Sequence, residues 1–182
     1  MELSYNFFHV IQNMVLQPDF TSAMALFGLS LLNELAAVLP YVALISGQLL
    51  FLKVSSFHVI ISQFFFFVAI PAGVGGAIGS LFTYGLAYFG GKPFIEKFKI
   101  YLRFSWDDVE KTSRRFKGAW YDEIIFLALR SVPVLPSLPV NVAMGVLRMS
   151  PTRYFILTAL GFTIRMMIMF AFIWVGAETL AQ

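Results

Sequence analysis

The sequence predicts an all-α integral membrane protein made of two inverted repeats. Each repeat is a re-entrant helical hairpin followed by a long transmembrane helix, and an amphipathic cytosolic connector joins them. Three observations carry that expectation. Hydrophobic residues make up 59% of the 182 residues and mean hydropathy is +0.79, too apolar for the surface of a small soluble domain. Charged residues are only 13% and they are clumped, with eight of the thirteen Lys and Arg residues between Lys92 and Lys117. Finally, two apolar stretches repeat each other with opposite charge. Glu34-Leu-Ala-Ala-Val-Leu-Pro40 matches Arg130-Ser-Val-Pro-Val-Leu-Pro136; a glycine follows each (Gly47 and Gly145), and Phe57 and Phe155 then open long hydrophobic runs.

Residues 1–21 lack the positive start of a signal peptide and read as a short interfacial helix. Repeat 1 covers 22–90. Its first part, 22–52, is interrupted by Asn33, Glu34 and Pro40. A plain span needs about 20 mostly apolar residues, but the Pro40 ring removes a backbone hydrogen bond and disfavours helix before it. Two short helices meeting at a break fit better, and such backbone survives at membrane depth only where protein or water satisfies it. Residues 57–90 would make a helix of roughly 50 Å, longer than the ~30 Å hydrocarbon core. It must tilt, kink at Pro71 or project beyond the bilayer. Gly75 and Gly79 form a small-xxx-small pattern that permits close helix packing, and Gly90-Gly-Lys-Pro93 ends the helix.

The connector, 91–118, sets eight basic residues against four acidic ones, a net of +4. Ser105 and Asp108 form a capping box and Gly118 a stop signal. Trp106, Val109, Phe116 and Trp120 give it an apolar side, so it is expected on the membrane surface facing anionic lipid. A docking site for a partner protein is the alternative. Repeat 2 covers 119–182. Pro133, Pro136 and Pro139 forbid an unbroken helix over 121–148. Ser150-Pro-Thr-Arg153 then opens the last helix, which runs to about Ala177 through Gly161 and Arg165. The whole chain reads as one membrane domain. Arg148 and Arg153 should share the cytosolic side with the connector, because the N-terminal stretch and the tail carry no Lys or Arg. The hairpins then enter from opposite sides, a recurring transporter design.

Several functions are excluded. There is no cysteine, hence no disulfide, thiolate nucleophile or cysteine metal site. His9 and His58 stand alone without ligand spacing, so no metal is expected. No basic face carries aromatic platforms for nucleic acid. The Gly73–Gly79 run lies in a membrane segment without G-x-G-x-x-G spacing, which removes a dinucleotide loop. Ser46, Ser131 and Ser137 have no base nearby in sequence, and adjacent Asp122 and Glu123 mark a membrane boundary or an acid/base dyad. The sequence therefore predicts neither an enzyme nor a cofactor.

The lone ions carry the functional question, since a charge at bilayer centre costs roughly 2.5–3.5 kcal/mol on insertion scales. If the hairpins face each other, Glu34 and Arg130 approach near the midplane. Two readings then stand. One is a buried ion pair that fixes the packing of the halves, which is weak evidence for stability. The other is a polar cavity in which Arg130 binds an anionic group and Glu34 takes or releases a proton. Arg165 is expected to face the same cavity. Asn141 either satisfies backbone groups freed by the break or touches a ligand. The breaks themselves are Pro40 and Gly47 in the first hairpin, and Pro133, Pro136, Pro139 and Gly145 in the second.

Arg130-x-x-Pro133-x-x-Pro136-x-x-x-x-Asn141-x-Ala143-x-Gly145, followed by Phe155 and Gly161, resembles the DedA superfamily (VTT-domain, SNARE-associated proteins), in its Tvp-like branch. Gly76-x-x-Gly79, Tyr84-Gly85 and Gly90 match the family's glycine-rich helix, and Asn33-Glu34 with Pro40 its first acidic motif, so the likeness covers roughly 25–176. Two departures stand out. The second acidic residue usual in bacterial members is missing from Tyr41–Ser46, and Pro136 stands where a second arginine is common. A chain this compact without a targeting signal suits a prokaryotic plasma membrane. The resemblance implies a lipid transporter or scramblase. It would move phospholipid or polyprenyl-phosphate headgroups between leaflets along a polar path between the hairpins. Arg130, Arg165 and Asn141 would bind the lipid phosphate, and Glu34 would serve as proton site or ion-pair partner. A non-catalytic assembly or trafficking factor and a proton-coupled small-ion transporter are the alternatives. Proton coupling and a homo-oligomer stay open.

Overall fold

The computed structural model describes residues 19–36, 57–102, 105–107, 110, 114, 120–133, 135 and 137–180, all of them helix, turn or short connection. Helix α1 spans Phe20–Ala36. Asp19 caps it: the Ser22 N–H donates to Asp19 Oδ1 at 2.7 Å, meeting one of the donors a helix start leaves orphaned. Hydrogen bonding from Ser22 holds the Asp19 carboxyl below its ordinary range.

The first long run is continuous through α2 (Phe57–Phe64), a π turn (Phe65–Ala69) and α3 (Ile70–Leu102). Proline lacks an N–H and its ring collides with the preceding turn. The chain widens just before Pro71, where the Ile70 N–H reaches back five residues to the Phe65 carbonyl. A single π turn therefore absorbs the irregularity expected at Pro71. The predicted stop at Gly90–Pro93 is half right. Gly91 breaks the helix at φ 53°, ψ −145°, a conformation that glycine alone adopts cheaply. The chain then resumes as helix to Leu102, so the connector starts helical, with Pro93 tolerated in the new first turn.

Helices α4 (Trp120–Ser131), α5 (Ser137–Val146) and α6 (Pro151–Leu180) follow. Ser150 caps α6, accepting from the Arg153 N–H at 3.3 Å, with Pro151 at the first helical position as the sequence indicated. Among the described residues, two segments are long and apolar enough to cross a membrane, Ile61–Pro93 and Pro151–Gly176.

Contacts fix the arrangement. α1 runs alongside α3 in the same direction. Leu26 packs with Val68, Ala69 and Ala72, and Ser30 Oγ donates to the Ala72 carbonyl at 2.7 Å. The Gly75/Gly79 pattern is used as the sequence suggested. A Cβ on Gly75 would strike the Phe27 carbonyl, and one on Gly79 would lie 2.5 Å from Leu31 O and 2.9 Å from Glu34 Cβ. α6 runs antiparallel to α3, from Tyr84 stacked on Tyr154 at 4.1 Å to Phe64 against Phe170 at 4.8 Å. α4 runs alongside α6 in the same direction: Glu123 meets Arg153 at 2.8 Å near both N-termini, and Arg130 meets Gly161 further along. The chain then breaks and α5 turns back, ending where the Met149 carbonyl accepts from the Tyr84 hydroxyl.

The predicted break in 121–148 is therefore present as a helix–break–helix hairpin whose two outer ends lie together, beside the start of α6. Of the first hairpin expected from the sequence only α1 is described; Pro40 and Gly47 lie outside the described residues. The surface away from these contacts is apolar, with Phe66, Phe82, Phe89 and Phe172 exposed. Such a surface suits hydrocarbon and not water.

Candidate functional site at the helix break

Arg130 sits in the last turn of α4 and is only 1% exposed. It reaches the interior because Gly161 offers no side chain where the two helices touch; a Cβ there would overlap Arg130 Cβ. Gly161 lies about 15 Å along α6 from Pro151 at 1.5 Å per residue, half the depth of a ~30 Å hydrocarbon layer. Arg130 Nη2 donates to Asn141 Oδ1 at 2.5 Å and to the Tyr154 hydroxyl at 3.1 Å. The Tyr154 hydroxyl in turn donates to Asn141 Oδ1 at 2.8 Å. The guanidinium carbon stands 4.9 Å from the Phe162 ring centre and 5.9 Å from those of Phe126 and Tyr154, within cation–π range. Among the described residues, Nε and Nη1 have no hydrogen-bond partner. Unmet donors on a buried cation are expensive, so the described residues satisfy this group incompletely.

Asn141, on α5 and 1% exposed, is the hub. Its Oδ1 accepts from Arg130 and Tyr154, and its side chain also hydrogen-bonds toward Glu34. Of its two expected roles, satisfying freed backbone is therefore not the main one. Glu34, near the end of α1, accepts from Ser137 Oγ at 3.0 Å through Oε1. It lies within electrostatic reach of Arg130 and Arg165. Among the described residues Glu34 and Arg130 form no direct ion pair; Asn141 stands between them. The two charges the sequence pairs are thus gathered into one cluster and bridged by an amide.

Arg165 grips the break itself. Nε and Nη2 donate to the Val132 carbonyl at 3.1 and 2.5 Å, and Nη2 also donates to the Leu135 carbonyl at 2.7 Å. Both carbonyls lie in the break, after α4 ends at Ser131 and before α5 starts at Ser137, where no helix ladder spans the gap. Its guanidinium carbon lies 5.6 Å from the Phe162 ring, on which both arginines therefore rest. The opposite charges of the two repeats acquire a reason here. The bases sit by the negative end of α4, and the acid sits by Ser137 at the positive start of α5, so each helix end exposed by the break has a complementary charge.

Of the break residues, Pro133 lies in the turn after α4. Pro139 lies in the first turn of α5, where its missing N–H costs nothing. Gly145 lets α5 approach α3, since a Cβ there would lie 2.5 Å from Tyr84 O and 2.7 Å from Ala87 Cβ. Pro136 lies outside the described residues. Glu123 pairs with Arg153 at an exposed end, which favours a boundary over a dyad for Asp122 and Glu123.

Sequence reasoning passed over Tyr154 and Phe162, and weighed Ser137 only as a nucleophile. A signal existed for the first: Tyr154, Thr158, Gly161 and Arg165 recur at helical spacing on one face of an otherwise apolar helix. The repeat also misled in one respect. The spacing that aligns Glu34 with Arg130 would align Gly79 with Val175, yet Gly161 packs on Arg130 as Gly79 packs on Glu34. The long helices are therefore out of register with the sequence repeat.

A profile of the VTT domain matches residues 49–175, well over half the chain. The chain belongs to the VTT-domain (DedA) family. With two helices fit to span a bilayer, this VTT protein is an integral membrane protein. It is 30% identical over 96 residues to undecaprenyl phosphate transporter A of Bacillus subtilis (strain 168), a match covering 52% of this chain and 47% of the relative. The match thus spans about half the length of that relative. No solved structure matches the chain.

Proposed function

We propose that this VTT protein moves an anionic lipid headgroup between leaflets along a polar path at the α4–α5 break, with Arg130 as the phosphate contact. The supporting observation is a fully buried guanidinium that gives Nη2 to Asn141 and Tyr154 and, among the described residues, has no partner at Nε and Nη1. A phosphate offers several charged acceptor oxygens, and charge-assisted bonds to arginine are the strong ones. Asn141 and Tyr154 orient the guanidinium while the free donors take the headgroup, and the acyl or prenyl chains stay in lipid. Arg165 holds the break by the Val132 and Leu135 carbonyls, so exposing Arg130 means loosening that grip.

The α4–α5 hairpin is read as re-entrant, and α1 with the residues after it as its counterpart. α1 lies along α3 and α4 along α6, with the long helices antiparallel, so Glu34 and Arg130 approach from opposite ends. This is the inverted arrangement common in transporters. Glu34 is the site for a coupling proton. The name of the relative, an undecaprenyl phosphate transporter of Bacillus subtilis, favours a polyprenyl phosphate over a phospholipid and a bacterial plasma membrane; the eight basic residues between Lys92 and Lys117 favour the cytosolic side for 92–118.

Purified protein in liposomes tests this by leaflet exchange of labelled polyprenyl phosphate and labelled phospholipid, with and without a proton gradient. Exchange of at least one class above protein-free liposomes is expected. If neither moves, a non-catalytic assembly role replaces the proposal.

A further inference from the structure

A second feature lies outside this cluster, on the opposite side of α3. Phe82, Gly85, Leu86, Phe89 and Gly90 line an apolar groove of about 460 Å³ on the lipid-facing surface. Gly85 forms its floor, and a Cβ there would meet nothing within 4 Å. Phe89, at its edge, is 88% exposed. The groove ends where Gly91 breaks the helix, and cations gather at that end. Lys92 Nζ stands 5.8 Å over the Trp106 ring, and Arg148 Cζ stands 5.9 Å over Tyr88, whose ring touches Phe89 at 5.1 Å. Arg148 holds that position at a cost. Among the described residues it is the non-glycine residue with positive φ, 53°, just beyond the end of α5 where glycine is the unstrained choice. The Met149 N–H to Met144 carbonyl bond that closes this end keeps it there.

From the groove and its basic mouth we infer a binding site for an anionic membrane phospholipid, with one acyl chain along Phe82–Gly90 and the phosphate held between Lys92 and Arg148. The groove is lined by apolar residues and glycine, and Lys92 and Arg148 stand near its Phe89–Gly90 end, matching an amphiphile with a negative head. The inference does not depend on the role of Arg130, because the groove and that cluster lie on different faces of α3.

The test uses Trp106 as reporter in a Trp120→Phe, Trp174→Phe background, in phosphatidylcholine vesicles. Bromine-labelled phosphatidylglycerol is compared at equal mole fraction with bromine-labelled phosphatidylcholine. The anionic lipid should be enriched about fivefold per cation, the ratio that about 1 kcal/mol per basic residue gives. Gly85→Leu places a side chain in the groove from a position whose Cβ meets nothing within 4 Å, and should abolish the preference. Arg148→Gly relieves the backbone strain, so it should keep or raise the melting temperature while reducing the preference. Equal quenching by the two lipids, or a preference that survives in both variants, overturns the inference. So does disulfide cross-linking between copies through Phe89→Cys with loss of dimer in Gly85→Leu, which would make the groove a contact between two copies.

Discussion

Gly161→Ala tests the packing that delivers Arg130 to the interior without touching any polar group. The added Cβ would overlap Arg130 Cβ, with Arg130 Cγ at 3.4 Å and its backbone carbon at 3.5 Å. The clash falls on atoms next to the backbone, so no rotamer change relieves it and α4 must shift. Restoring an ordinary carbon contact of about 3.5–4 Å moves Arg130 by about 1 Å. Overpacking of this kind costs typically 1–3 kcal/mol. Replacing glycine within a helix returns up to about 1 kcal/mol, so the net loss is about 0–3 kcal/mol. Function should suffer more than stability, because a 1 Å misplacement of a working group can cost on the order of 100-fold in rate. Gly28→Ala is the control, since a Cβ there meets nothing within 4 Å. The assay pairs thermal denaturation in detergent with leaflet exchange in liposomes. A Gly161→Ala protein with wild-type rate and stability would refute the packing argument.

Arg165→Gln removes three hydrogen bonds to the Val132 and Leu135 carbonyls; at roughly 1.5–3 kcal/mol for each bond to a charged group, shared among overlapping contacts, stability should fall by about 3 kcal/mol in a denaturation series. A loss under 1 kcal/mol would mean that the break holds itself. Tyr154→Phe keeps the 4.1 Å stack on Tyr84 but removes the hydroxyl shared by Arg130 and Asn141, which should cost about 1 kcal/mol and slow exchange; an unchanged exchange rate would exclude Tyr154 from positioning Arg130. Asp19 has a depressed carboxyl pKa, so its contribution to folding is present at neutral pH and is lost as pH falls below the ordinary value of 3.8. The melting-temperature gap between wild type and Asp19→Asn should close over that acid range, and a gap independent of pH would contradict the capping bond.

The sequence was most informative where one residue type leaves the chain few choices. Pro133, Pro136 and Pro139 dictated a break, Gly75 and Gly79 close packing, and Ser150-Pro151 a helix start. Lone charges in apolar runs marked Glu34, Arg130 and Arg165 for burial. The wiring was not legible, because it depends on which faces meet. An ion pair was the simplest partner for two opposite charges, yet Asn141 bridges them and Arg165 turns to backbone carbonyls that become acceptors only once α4 ends. Tyr154 escaped notice because an aromatic residue near a membrane helix end is usual; only its place on one face with Arg165 set it apart. At Gly91 the pattern marked the stop but not the resumption, since Pro93 is as compatible with a helix start as with an end.

The central claim is that Arg130 is the phosphate contact, and leaflet exchange by Arg130→Gln tests it most directly. The variant is first shown to be folded by its melting curve and elution in detergent, with Arg130→Lys beside it. Lysine keeps the charge but cannot serve Asn141, Tyr154 and a phosphate with the planar fork of arginine. The account predicts wild-type exchange of labelled polyprenyl phosphate or phospholipid, partial exchange for Arg130→Lys, and none above protein-free liposomes for folded Arg130→Gln. Exchange by folded Arg130→Gln at the wild-type rate would contradict it.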